Sequence, residues 1–236
     1  MLIVSIVIYN EEFAILRESA LLPRNIDLLI FDLDGTLADT LKDLANAVNY
    51  ALEKLGRERL ELQTVRKFIG DGVKKFLMRA LENPDTDLLE KGLHFFKEYY
   101  TEHVADFTTL YPGVQETLAY FSQKKQVVLT NKPIEYALPI VKRLQIEHYF
   151  GQVIGGNSGF PLKPDPEGIL NIIRHHNVEK QRALIIGDSE NDILGGQNAG
   201  IATCAVTFGF RPEKLLRSLN PDYVIDDLKE LRTIII

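Results

Sequence analysis

Apolar and polar positions alternate along this chain in two different rhythms. Near-continuous apolar runs occur at Ile26–Phe31, Gln126–Leu129, Gln152–Ile154, Ala183–Ile186, Ala202–Val206 and Tyr223–Ile225. Runs of that length predict strands buried on both faces of a parallel sheet. Helix-period segments separate most of them, which predicts an α/β core with helices on both faces and a ligand site beyond the carboxyl ends of the strands. From Thr40 to Phe107 the rhythm is helical throughout. Leu41, Leu44, Ala45, Val48 and Leu52 keep helical spacing, as do Val73, Phe76, Leu77 and Leu81, and then Leu89, Leu93, Phe96 and Tyr100. Asn83-Pro84-Asp85 marks a turn between two of these helices, and Pro112-Gly113 marks the return to the core. The expected organisation is a core of residues 25–39 and 108–236, an inserted helical domain of residues 40–107, and an N-terminal extension of residues 1–24.

Length and composition narrow the classes. At 236 residues, 45% of them apolar, the chain holds one large core or a core with an insertion. The net charge of −6 argues against a nucleic-acid or anionic-membrane partner, because both select a basic face. An anionic substrate must therefore be captured by a local site. With Cys204 as its one cysteine, the chain forms no intramolecular disulfide and no multi-cysteine zinc site, which points to a reducing compartment, the cytoplasm. The leading run Leu2–Ile8 is too short for a membrane helix and no basic residue precedes Arg17, so it reads as a β-strand, either an added edge strand or an oligomer contact. Both a monomer and a homodimer are compatible with the composition.

Four polar motifs follow four of the predicted strands. Asp32-Leu33-Asp34-Gly35-Thr36 leaves the first; acids at i and i+2 of an extended segment face the same way and can divide labour as nucleophile and proton carrier. Taken alone, the same residues also describe an Asx turn. Thr130-Asn131-Lys132-Pro133 offers a hydroxyl, an amide and backbone N–H groups to phosphate oxygens, or a helix N-cap. Lys163-Pro164-Asp165-Pro166 mounts one lysine on stiffened backbone, suited to a site crowded with carboxylates or to a solvated loop. In Gly187-Asp188-Ser189-Glu190-Asn191-Asp192, Asp188 offers a hard oxygen ligand for Mg²⁺, whereas Ser189 with Asp192 also spells a capping box. Four such motifs at four strand ends, on the edge where a parallel sheet binds ligands, form a coherent set.

These motifs, in order and approximate spacing, resemble those of the haloacid dehalogenase superfamily, in its phosphatase branch with an inserted helical cap. The resemblance covers about Asp27 to Leu231. Within the superfamily the chain most resembles the phosphoglycolate phosphatases, through Asp32–Thr40 running into Leu41–Asn49, through Ile69-Gly70-Asp71-Gly72, through Thr130–Pro133 and through Pro221–Leu228. It implies a Rossmann-like three-layer parallel-sheet core with an all-helical cap. It also implies an Mg²⁺-dependent phosphatase for a small phosphate monoester, phosphoglycolate favoured. Asp32 would be the nucleophile and Asp34 the general acid and base. Asp32, the main-chain oxygen of Asp34, and Asp188 would hold the metal, with Asp192 behind them, while Thr130, Asn131 and Lys163 would bind the phosphoryl oxygens. Phosphoryl transfer depends on positioning and charge neutralisation, which agrees with those roles. Because the core motifs meet only the phosphoryl group, choice of substrate falls to the cap, where Gly70, Asp71 and Gly72 form a candidate anion nest and Arg66 lies close by in sequence. A phosphosugar mutase, or a pyrophosphatase or nucleotidase, on the same scaffold is the alternative enzyme reading, and a non-catalytic binding protein the alternative from another class.

Other residues invite no role in this site. His94 and His103 are expected on opposite faces of one helix, His175 and His176 at a helix C-terminus, and Cys204 in the core. Phe95, Phe96, Tyr99 and Tyr100 read as packing within the cap.

Overall fold

The computed structural model describes residues 24–236, so the expected strand Leu2–Ile8 lies outside the described residues. The main sheet contains β1 (Leu28–Phe31), β4 (Lys125–Leu129), β5 (Gln152–Ile154), β6 (Ala183–Gly187), β7 (Ala202–Val206) and β8 (Tyr223–Ile225), in the order β5-β4-β1-β6-β7-β8. Every neighbouring pair is parallel. Successive β1 side chains point to opposite faces. Leu29 and Phe31 pack with α5 (Val114–Tyr120) and α6 (Ile134–Arg143), whereas Leu28 and Ile30 pack with α7 (Glu167–His176). This two-sided burial explains why the strands read as unbroken apolar runs, each buried Leu or Ile contributing about 1.5–3 kcal/mol. Phe31 is level with Val128 on one side and Ile186 on the other, so the residues following β1, β4 and β6 emerge along one edge of the sheet.

The helices α1 (Leu41–Lys54), α2 (Leu62–Phe68), α3 (Gly72–Ala80) and α4 (Thr86–Tyr100) build a second apolar cluster of their own. The periodic residues Leu44, Val48, Leu52, Leu77, Phe96 and Tyr100 are all buried in it, while Val73 and Leu93 are half-buried at its margin. Tyr136 and Phe210 enter this cluster from the core side. His103 departs from expectation: α4 ends at Tyr100, and the imidazole stacks on Tyr99 and meets Asp106 beyond the helix. His175 and His176 do end α7, and Cys204 is buried in β7.

Two short strands flank the helices. β2 (Ala38–Asp39) pairs antiparallel with β3 (Thr109–Leu110), so the chain leaves and rejoins the core through one ribbon. Two-residue strands are too short to show alternation, and the sequence rhythm passes over them. Beside the ribbon the buried Asp43 carboxylate accepts from the Phe107 N–H at 3.1 Å and from the Thr108 hydroxyl at 2.6 Å. Asp43→Ala would leave both donors unpaired, at an expected cost of about 2–4 kcal/mol measurable by urea denaturation; a change within error would show that the ribbon holds without the clasp.

Candidate active site

The turn after β1 carries both acids of the first motif. Leu33 O accepts from Thr36 N, Leu37 N and Ala38 N, and Gly35, at φ +83°, closes the loop. Asp32 continues the β1–β6 ladder through its N–H to Ile186 O at 2.9 Å, and its Oδ1 accepts from Lys163 Nζ at 2.9 Å. Asp34 Oδ1 accepts from the Thr40 hydroxyl at 2.5 Å and pairs with Lys132 Nζ at 2.9 Å. Thr40 begins α1 without capping it, its hydroxyl being committed to Asp34.

The other three motifs converge on the same point. Lys163 directs all three ammonium protons inward, to Asp32 Oδ1, to Asp192 Oδ1 at 2.6 Å and to Leu129 O at 2.6 Å. Asp192 satisfies both readings of its motif: its Oδ2 accepts from Ser189 N and Oγ in a capping box, while its Oδ1 holds Lys163. Asn131 lines the cavity, but both of its amide protons are committed to Gly70 O and Lys163 O at 2.9 Å, and its Oδ1 accepts from Lys163 N. Its side chain is a strut between the lysine loop and the Gly70 loop. Thr130 accepts from Lys132 N at 3.2 Å, which leaves its own hydroxyl proton to donate.

Asp188 is enclosed on two sides by glycine. Its Oδ2 accepts from Phe210 N at 2.6 Å, and a Cβ at Gly209 would fall 2.2 Å from Asp188 Cβ and 2.4 Å from Gly35 O. Gly209→Ala is therefore expected to destabilise by about 1–3 kcal/mol and to weaken divalent-cation binding by displacing the carboxylate. Thermal melts with and without Mg²⁺ read both effects, and unchanged melts in both conditions would refute the close fit.

Burial pushes the Asp32 carboxyl up to about 7, opposed by Lys163 and reinforced by Asp192 and Asp34. Asp188 is raised well above the usual carboxylate range by burial, then by Asp32 and Asp192. Burial also works against the charges of Lys163 and Lys132, but neighbouring acids outweigh it and raise both above the ordinary lysine value. Carboxylate oxygens of Asp32, Asp188 and Asp192 lie within 4.8 Å of one another. Four carboxylates face two buried lysines here, an excess of two negative charges that one dication would match. Hard oxygen donors in that arrangement suit Mg²⁺.

The helical insertion closes over this edge. Gly70 and Gly72 line the cavity together with Leu44, Ile69, Val73 and Phe76. The other two candidates in this region face elsewhere: Arg66 Nε donates to Phe210 O at 3.2 Å and its guanidinium also reaches Gly209 O, and Asp71 is held by Asn191 and Arg79. Arg66 and Asp71 thus fasten the loops that shape the pocket. Sequence reasoning passed over Lys132, Arg211 and Tyr100. For Lys132 the signal is its place in Thr130–Pro133, a second cation among motifs rich in acids. Arg211 lines the cavity, donating to Ile69 O at 2.6 Å and to Glu190 at 2.8 Å, and nothing in Gly209-Phe210-Arg211-Pro212 announces it.

This fold and this arrangement define a class of hydrolase. The profile of one family, described as haloacid dehalogenase-like hydrolase, matches residues 29–206, and the chain belongs to that family. Two bacterial relatives, each named phosphoglycolate phosphatase, are similar over most of its length. That of Pseudomonas savastanoi pv. phaseolicola is 36% identical over 86% of this chain and 78% of its own, and that of Vibrio parahaemolyticus is 35% identical over 90% and 97%. A crystal structure from Haemophilus somnus, described as a predicted phosphoglycolate phosphatase, superposes with a TM-score of 0.84 at 30% identity, covering 89% of this chain and 97% of that one. The chain is an enzyme of the phosphoglycolate phosphatase-like kind, an α/β core with a helical cap.

Proposed function

We propose that the protein hydrolyses a small phosphate monoester, phosphoglycolate foremost, through a phosphoaspartyl intermediate on Asp32. The observation that carries this reading is the convergence on one cavity edge of Asp32 and Asp34 after β1, Thr130 after β4 and Asp188 after β6, with Lys163 reaching Asp32 from the loop between β5 and α7. Asp32 Oδ1 is fixed by Lys163, leaving Oδ2 to attack phosphorus in line. Lys163 favours the ionised form of Asp32 against its burial and, with the Thr130 hydroxyl and the main-chain N–H of Asn131, neutralises charge on the equatorial oxygens. Among the described residues both partners of the Asp34 carboxylate, Thr40 and Lys132, meet Oδ1, so Oδ2 is the oxygen that protonates the leaving alcohol and then takes a proton from the water that cleaves the acyl phosphate. Mg²⁺, held by Asp32, the Asp34 main-chain oxygen and Asp188, with Asp192 behind, would supply further charge neutralisation at the phosphoryl group.

The same reading assigns residues 40–107 to the cap and 25–39 with 108–236 to the core. The cavity measures about 40 Å³, and Leu44, Val73 and Phe76 make its cap side apolar, which fits a short leaving group. Among the described residues no helix is long and apolar enough to cross a membrane. A screen of phosphate esters with Mg²⁺ tests the proposal. The highest kcat/KM is expected on phosphoglycolate, with phosphate released. Isomerisation of a sugar phosphate without phosphate release would make the enzyme a mutase, and a preference for pyrophosphate or nucleotides would move the substrate assignment.

A further inference from the structure

Lys132 is a cation that the phosphoryl chemistry does not use. Its side chain is 4% exposed, it lines the catalytic cavity, and its ammonium meets two protein acceptors, Asp34 Oδ1 at 2.9 Å and the Tyr100 hydroxyl at 3.0 Å. Among the described residues no acceptor takes its third proton. Lysine carries three donors, and a buried ammonium with one unmet donor beside a cavity is a binding group for an anion. Its counterpart Lys163 differs in having all three donors taken by protein acceptors, so it acts on the phosphoryl group through its charge.

The position of Lys132 indicates which anion. Asp34 serves the leaving oxygen, and Lys132 touches Asp34, so the ammonium lies beside the leaving group rather than beside the phosphoryl oxygens. The helical insertion adds the apolar side chains of Leu44, Val73 and Phe76 to the cavity wall, and the other cation there, Arg211, is engaged with Ile69 O and Glu190. Resting on the phosphatase reading above, we propose that Lys132 is the specificity residue for the leaving group, its free ammonium donor taking a carboxylate carried there by the substrate. The lysine is set in place from both sides of the cavity. Asp34 belongs to the core and Tyr100 to the last turn of α4, with the ammonium also 5.1 Å from the Tyr100 ring centroid. The carboxylate site is thus complete only when the helices are seated on the core.

A pair of non-hydrolysable phosphonates separates this role from chemistry at Asp34. With phosphorus, two carbons and a terminal carboxylate, 3-phosphonopropionate mimics the acid ester, and propylphosphonate has a methyl group in place of the carboxylate. Competitive inhibition of the Mg²⁺-loaded wild type by 3-phosphonopropionate is expected to be at least about thirtyfold stronger, because a buried charged donor rejects the ligand that leaves it unpaired. Lys132→Met should reduce that ratio to within about threefold, and Tyr100→Phe, which keeps the ring and removes the acceptor, should give an intermediate ratio. A wild-type ratio near unity overturns the proposal even if Lys132→Met does not fold, and so does a ratio preserved in the folded variant. Failure of the underlying reading looks different: wild-type enzyme releasing phosphate from neither phosphoglycolate nor ethyl phosphate would remove the phosphatase assignment itself.

Discussion

Asp32→Asn is expected to lower kcat by on the order of 10⁴-fold on every phosphate ester, because it removes the attacking oxygen while leaving the site assembled. The amide can still accept from Lys163, so the cavity should keep its shape. Loss of the nucleophile also removes one of four crowded carboxylates. Since burial and acidic neighbours raise the Asp32 pKa to about 7, the ionised form is disfavoured in the metal-free fold. The metal-free variant is therefore expected to melt at a higher temperature than metal-free wild type at neutral pH. Single-turnover kinetics and calorimetry read the two effects separately. Turnover within tenfold of wild type would refute Asp32 as nucleophile, and a lower melting temperature would show that the Lys163 pair outweighs the repulsion.

Removal of the divalent cation is the second large effect. Excess chelator should reduce turnover to background, and Mg²⁺ should restore it; activity retained in chelator would overturn the mechanism. The same experiment has a pH signature. In the metal-free protein the Asp32 pKa is raised from 3.8 to about 7, so between those values the folded chain holds a proton that the unfolded chain has lost. Stability then falls as pH rises through that window, because it rises only where the unfolded state binds more protons. Asp188 is raised by the same causes and adds to the same trend. The melting temperature of the chelated protein is expected to drop as pH is raised from 3.8 to about 7, and the increment gained from Mg²⁺ to grow over the same range. A chelated protein whose melting temperature climbs across that window would show that the acids are compensated within the protein.

Much of the core was legible because its signals are local. The Ile26–Phe31 and Ala183–Ile186 runs are apolar throughout since both faces of β1 and β6 are covered, and the acids follow them because β1 and β6 are neighbours in register. What stayed hidden depends on approach in three dimensions. Nothing in Thr130–Pro133 shows that the Asn131 amide bridges Gly70 and Lys163, contacts 61 and 32 residues away along the chain. Tyr100 looked like one more aromatic of a packed helix, and it is buried there, yet its hydroxyl meets Lys132. The basic residue expected to act from the cap, Arg66, is engaged with main-chain carbonyls, and the arginine lining the cavity, Arg211, comes from a core loop without a recognisable motif.

The β2–β3 ribbon joins the entry and exit of the helical insertion in one antiparallel pair, Ala38 opposite Leu110 and Asp39 opposite Thr109. Because both ends of the insertion meet at one place, its length makes no demand on the sheet, and closure entropy rises only slowly with the number of residues spanned. The junction works as a socket. A helical module of another size fits the same two positions without disturbing the pairing of β1 with β4 and β6, provided it restores the contacts that Gly70 and Tyr100 make to Asn131 and Lys132.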